Sequence, residues 1–188
     1  MFLIRNKGAW IITLLISMAA CAEKILEPEI YLIPEDYIGD IYIVYDVTSG
    51  NEPAYEGDAR VFEVPDTGVI HTKLSQNYGR GSPGMIRFFT VSKSGTRTEI
   101  TDFYAGAVED SSENRTDKKI YVMSGGVGEF GFTKQTTDLG CKYNDRSFYV
   151  GRLSDRLEGV GQFSLADYYL EHGYPCDGQL FNPEGIIR

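Results

Sequence analysis

The sequence predicts a mainly β protein, an antiparallel β-sandwich or open barrel with one short C-terminal helix. Three observations point there. Gly (21) and Tyr (13) are abundant among the 188 residues, as expected of half-buried strands joined by tight turns. Beyond residue 20, Val, Ile, Tyr and Phe gather in short runs separated by turn signals. No long stretch carries the 3.6-residue apolar repeat of an amphipathic helix.

The elements follow in order. Tyr31-Leu32-Ile33-Pro34 opens the fold, and Pro34 to Gly39 makes a turn. Asp40 to Asp46 (D-I-Y-I-V-Y-D) is the strongest strand, and its β-branched and aromatic content suits burial on both faces. Loops at 49–51 and 56–58 precede a strand at Arg60–Val64. The turn Pro65-Asp66-Thr67-Gly68 then leads into Val69–Thr72 as the returning strand of a hairpin. Asn77 to Gly84 holds too much Gly and Pro for a regular element. Met85–Ser92 and Arg97–Thr101 flank the turn Lys93-Ser94-Gly95. Val108 to Lys118 reads as a polar loop. A further hairpin is expected from Lys119–Met123 and Glu129–Thr133 around Ser124-Gly125-Gly126-Val127-Gly128, and a last strand from Arg146 to Leu153. The helix starts at Ser164, which caps it with Asp167 at the third position, and ends at Gly173. Leu165, Ala166, Tyr169 and Leu170 would form its buried side.

Residues 1–20 stand apart from this pattern and read as an export signal, with 21–28 as a tether and 29–188 as a single β-rich domain. Arg5 and Lys7 give a basic start, and Ala9 to Ala20 is a mostly apolar run closed by Met18-Ala19-Ala20 before Cys21. That run is too short to span a hydrocarbon core, which needs about 20 helical residues. Two processing routes stay open. Ala19-Ala20-Cys21 resembles the lipobox of bacterial lipoproteins, which implies Cys21 as the acceptor of a diacylglyceryl group; in the other route a peptidase cuts after Ala20-Cys21-Ala22 and discards the cysteine. The lipid route is preferred, because a cysteine at that position is otherwise a coincidence. Ala22 rather than Asp follows the cysteine, which favours the outer membrane over the inner.

Removing residues 1–20 takes two of the 18 basic residues and none of the 27 acids, so the net charge moves from −9 to −11. Such an acidic chain argues against nucleic acid as a partner, since that affinity rests on Lys and Arg neutralising phosphates. The membrane, reached through the N-terminal lipid, is the expected partner, with an envelope protein or a glycan as a further possibility. With Cys21 taken by lipid, Cys141 and Cys176 remain for a disulfide in an oxidising compartment. It would close a loop of about 36 residues, worth on the order of 3–4 kcal/mol. A metal site using His172 is the alternative, but three ligands leave structural zinc incomplete.

No motif carries a reaction. Gly125-Gly126-Val127-Gly128 lacks the Lys-Ser/Thr end of a phosphate loop. Ser82, Ser111, Ser124 and Ser154 lie outside any G-x-S-x-G elbow. His71 and His172 are the only histidines, and both read as structural. Among 27 acids no glycosidase pair can be chosen, so Glu35, Asp36, Asp40 and Asp46 carry no special weight. Asp102, Glu109, Asp110, Glu113 and Asp117 lack the spacing of a calcium loop. Asn114-Arg115-Thr116 matches a glycosylation sequon that a bacterial chain would rarely use. Catalytic residues, metals and cofactors are therefore expected to be none.

Ile33-Pro34-Glu35-Asp36-Tyr37-Ile38-Gly39, the strand I-Y-I-V-Y, and Arg60 to Val69 (R-V-F-E-V-P-D-T-G-V) together resemble an uncharacterised family of bacterial lipoproteins. The likeness covers roughly residues 30–75, with Phe148-Tyr149-Val150-Gly151 as a later echo. It implies a β-rich domain in the cell envelope and supplies no catalytic residues. The function expected is a membrane-anchored envelope lipoprotein acting as a non-catalytic interaction or scaffold module. A glycan- or peptide-binding lipoprotein is the alternative, and a hydrolase is favoured least.

Overall fold

The computed structural model describes residues 25–78, 84–100, 102–103, 119–133, 140–176 and 179–181. Two open five-stranded sheets face each other. The first holds β1 (Glu29–Pro34), β3 (Ala54–Glu56), β4 (Ala59–Glu63), β6 (Ile86–Val91) and β7 (Arg97–Ile100), in the spatial order β3-β4-β1-β6-β7. The second holds β2 (Gly39–Val44), β5 (Val69–His71), β8 (Asp102–Phe103), β9 (Tyr121–Thr133) and β10 (Gly140–Gly151), in the order β5-β2-β10-β9-β8. Two helices follow, α1 (Leu153–Leu157) and α2 (Leu165–His172), and then a small hairpin of β11 (Tyr174–Cys176) and β12 (Gln179–Phe181).

The mainly β class with open sheets and a late helix is as expected, but the sheets are mixed. β1 runs parallel to both β4 and β6, and β2 runs parallel to β5. The chain crosses from one sheet to the other after one or two strands; β5, β6 and β8 each re-enter in the direction in which their sheet was last left, whereas β3 enters antiparallel to β1. That traffic also corrects the hairpin expected over residues 60–72. The turn forms, with Gly68 N–H donating to Pro65 O at 2.9 Å, yet β4 and β5 lie in different sheets.

The core lies between the sheets and is organised around Tyr31. Its register partners on β4 and β6 are Phe62 and Phe88. Both rings stack on Tyr31 with centroids 5.0 Å away, and Phe148 from the opposite sheet meets it edge-on at 5.1 Å. Each such aromatic pair adds about 0.5–1.5 kcal/mol beyond area burial. Ile33, Ile41, Ile43, Ile70, Val122 and Val150 complete the layer. β2 is covered on both faces, as its composition predicts. Ile41 and Ile43 join this core, whereas Val44 packs with Val47, Val69, Leu165 and Tyr169 under α2.

The second expected hairpin is also corrected. β9 continues through the glycines as one strand paired along its length with β10. The pairing steps from Ser147↔Gly126 to Phe148↔Ser124, so Gly125 is the extra residue of a bulge. A Cβ on Gly125 would collide with the Ser147 side chain, which accounts for glycine there.

α2 matches expectation at both ends. Ser164 Oγ accepts from Asp167 N–H at 3.0 Å, and Gly173 terminates the helix at φ 82°. Its buried side is narrower than expected: Leu165 and Tyr169 are buried, while Ala166 and Leu170 face outward. The last strand stops at Gly151 rather than Leu153, because α1 begins there.

The segment between the helices is stitched onto the start of β2. Asp40 N–H donates to Gly161 O at 3.1 Å, and Phe163 N–H donates to Asp40 Oδ2 at 3.1 Å. Tyr42 and Tyr149 hydroxyls donate to Phe163 O and Val160 O. A Cβ on Gly39 would lie 2.5 Å from Gly161 O, so this crossing requires glycine. The I-P-E-D-Y-I-G segment thus has a structural account. Pro34 O accepts from Tyr37 N–H at 3.0 Å to close the turn, the Tyr37 hydroxyl donates to Asp40 O, and Gly39 admits the loop.

Candidate functional site

The densest polar constellation lies where the chain enters the fold. Glu29 opens β1 and is fully buried, a placement that costs several kcal/mol unless the charge is matched. Arg146 of β10 supplies the match, its Nη1 donating to Glu29 Oε2 at 2.6 Å. Glu29 and Tyr31, two apart on a strand, point to the same inner face. The Tyr31 hydroxyl accordingly donates to the same oxygen at 2.9 Å, and Asn77 Nδ2 donates to Oε1 at 3.0 Å. Burial, then the neighbouring Tyr45 and Glu29, raise the Tyr31 pKa well above the ordinary phenol value, so it remains a donor. Burial likewise pushes Tyr45 up to about 12.

The same cluster pins the preceding residues. Glu27 N–H donates to Asn77 Oδ1 at 3.1 Å, and Asn77 Nδ2 donates to Glu27 O at 2.8 Å. Arg60 of β4 donates from Nε to Glu27 Oε2 at 2.7 Å and from Nη1 to Ser75 O at 2.7 Å. Two arginines thus face two glutamates, with one member of each pair nearly or wholly buried. The arrangement is a latch: its charges balance, and most of its donors hold residues 27–29, while Arg60 Nη1 and Arg146 Nη2 tie the Ser75 and Asn77 carbonyls to the same cluster.

The residues weighed for chemistry are dispersed. His71 on β5 sits with Nε2 2.9 Å from the Tyr169 hydroxyl. Desolvation lowers its pKa to about 4, so the ring is neutral at pH 7. His172 lies at the end of α2, its ring stacked 4.3 Å from that of Tyr168 and its Nδ1 2.9 Å from Tyr168 O. Among the described residues no three His, Cys, Asp or Glu side chains converge as cation ligands. Asp40 is used in the loop clasp, where burial raises its pKa. Asp46 Oδ1 accepts from Ser75 Oγ at 2.5 Å. Glu35 and Asp36 line a shallow cavity of about 450 Å³ with Tyr37, Asp66, Ser92 and Lys93, at the far end of β1 from Glu29.

Tyr31, Tyr45, Tyr149 and Tyr169 are buried, and Tyr55 and Tyr78 stand exposed. Ser124 is exposed on β9, and Ser154 lies in α1. Cys21, Ser82, Glu109, Asp110, Ser111, Glu113, Asn114 and Asp117 lie outside the described residues. Cys141 and Cys176 belong to β10 and β11, and Asp102 to β8, with their side chains outside what is described.

Sequence reasoning missed Glu29, Arg60, Asn77 and Arg146. The available signal was slight: Arg60 and Arg146 open expected strands and Glu29 precedes the first, positions where a charge is ordinarily solvated.

No curated protein sequence matches this chain. A crystal structure of a candidate lipoprotein from Bacillus anthracis is similar at 20% identity and a TM-score of 0.49, over 79% of this chain and 91% of that one. Residues 26–138 match a family of unknown function, DUF6843, and span the stretch on which the resemblance to an uncharacterised family rests. That match takes in more than half of the sequence, and the chain belongs to this family.

Proposed function

We propose that the protein is a lipid-anchored envelope lipoprotein whose folded part is a non-catalytic interaction or scaffold module. The observation that carries this is the order of residues 5–29. A basic start, an apolar run and Ala19-Ala20-Cys21 are followed within a few residues by Glu27 and Glu29, which are latched into the sheets. The latch suits a domain that hangs from its own N-terminus. Most of the polar side chains that converge are engaged with one another, the buried Tyr45 hydroxyl excepted, which favours holding over reacting. Because Ala22 follows the cysteine, the outer membrane is the destination this reading favours in a two-membraned cell.

Expression of the full chain in a lipoprotein-processing bacterium tests it. Intact mass of the envelope-extracted protein should show a chain starting at acylated Cys21, and Cys21→Ser should release the protein from membranes. An unacylated chain starting at Glu23 would overturn the reading.

A further inference from the structure

Seven large apolar side chains stand exposed among the described residues; Val127 on β9 and Leu170 on α2 stand singly, and the other five fall at the two ends of the strands. Ile25 is 72% exposed, Tyr55 53% and Tyr78 54%. All three border the latch. Ile25 lies two residues before Glu27, whose carboxylate takes the Arg60 guanidinium. Tyr55 on β3 is the register partner of Arg60, so the two share a face of the sheet. Tyr78 follows Asn77, which binds the Glu27 backbone in both directions. An isoleucine and two tyrosines therefore ring the point from which the tether departs. Leu157 and Val160 lie at the other end of the strands, where the loop after α1 meets Gly39.

We infer that this end of the sandwich rests on the lipid surface, with Tyr55 and Tyr78 at headgroup depth and Ile25 beneath them. The inference depends on the lipid anchor proposed above. Chain length commits the occupant. From Cys21 to the latched Glu27 there are six steps, which span at most about 22 Å fully extended. A lipid on Cys21 thus keeps the latch end close to the bilayer. Tyrosine is the residue such a position favours, since its ring takes the apolar side of an interface and its hydroxyl the wet side. The acidic chain offers no general electrostatic attraction to an anionic surface, so the footing is interfacial partitioning under a covalent tether. The domain would then stand with β1 rising from the membrane and the Glu35–Lys93 cavity pointing away from it.

Trp10 lies in the segment removed on processing, so the mature chain has no tryptophan. Tyr78→Trp, Tyr55→Trp and Leu157→Trp each install a single reporter. The acylated proteins, purified from envelopes, are reconstituted in phosphatidylcholine vesicles with and without brominated acyl chains. Flotation first shows whether each protein is membrane-bound. The expected result is Y78W and Y55W emission shifted to the blue and quenched about twofold by brominated lipid, with L157W nearly unchanged.

Protein that floats while the Y78W and Y55W reporters stay as unquenched as that of L157W overturns the footing and leaves the anchor standing. Equal quenching of all three also overturns it, because the domain then has no fixed stance. A blue shift that rises with protein concentration in the absence of vesicles assigns the surface to a second copy and rejects the lipid. Failure to float rejects the anchor itself. Circular dichroism of each variant identifies any that does not fold, and Tyr55 and Tyr78 serve as replacements for one another.

Discussion

Arg146→Met removes the positive half of the buried pair while keeping most of the side chain's apolar volume. Glu29 would then be a fully buried carboxylate left with two donors, the Tyr31 hydroxyl and Asn77 Nδ2. Breaking a buried pair from one side costs about 3–5 kcal/mol. The two remaining hydrogen bonds keep the loss at the lower end, about 3 kcal/mol. With a denaturant slope of about 2 kcal/mol per molar urea, the unfolding midpoint should fall by about 1.5 M. Glu29→Gln combined with Arg146→Met removes both charges. The glutamine carbonyl still accepts from Asn77, and its amide faces the Tyr31 oxygen, so the double variant should lose only about 1 kcal/mol. Urea titrations followed by tyrosine fluorescence and circular dichroism measure all three proteins. A loss under about 1 kcal/mol for R146M, or a double variant as unstable as the single, would refute the latch as a charge-balanced unit.

Three further outcomes follow from other parts of the fold. His71 is held neutral with a pKa of about 4 against an ordinary value near 6.5, so its contribution is present above pH 6.5 and lost as pH falls toward 4. The loss is up to about 3 kcal/mol, and H71Q should flatten that part of the stability profile; an unchanged slope rejects the burial. Gly161→Ala places a Cβ against Ile38 O at φ +64° and should destabilise by about 2–4 kcal/mol, whereas Gly57→Ala, at φ +66° in open space, should cost about 1 kcal/mol; equal thermal-shift losses would mean the loop does not clasp β2. Cys141 and Cys176 in the denatured, unreduced protein should resist thiol labelling, a free thiol at either one ruling out their pairing.

What could be read in advance was whatever is decided locally. α2 was legible because Ser164, Asp167 and Gly173 cap it from within one short segment. The β6–β7 hairpin was legible because its turn lies between its own strands. The β4–β5 connection was not: the Pro65–Gly68 turn has the same local chemistry whether the next strand pairs with β4 or crosses to the other sheet. Gly125 and Gly126 misled for a related reason. Glycine marks a turn in isolation, but here the long partner β10 carries β9 through a bulge. The latch was beyond local reading, because Glu29 meets Arg146 across 117 residues, and nothing near either one distinguishes it from the other charges.

β1 is the first strand of the fold and also the central strand of its sheet, bonded along both edges to β4 and β6. Tension applied through the N-terminus would therefore act along the axis of a strand clamped on two sides. An edge strand peels one hydrogen bond at a time, but this one can leave only by sliding past both neighbours, with the Phe62–Tyr31–Phe88 stack and the Glu29–Arg146 pair yielding together. The direction from which a lipid would pull is thus the direction in which the sandwich is built to resist. A load drawn through β12 at the other end would meet a two-stranded ribbon and open it first.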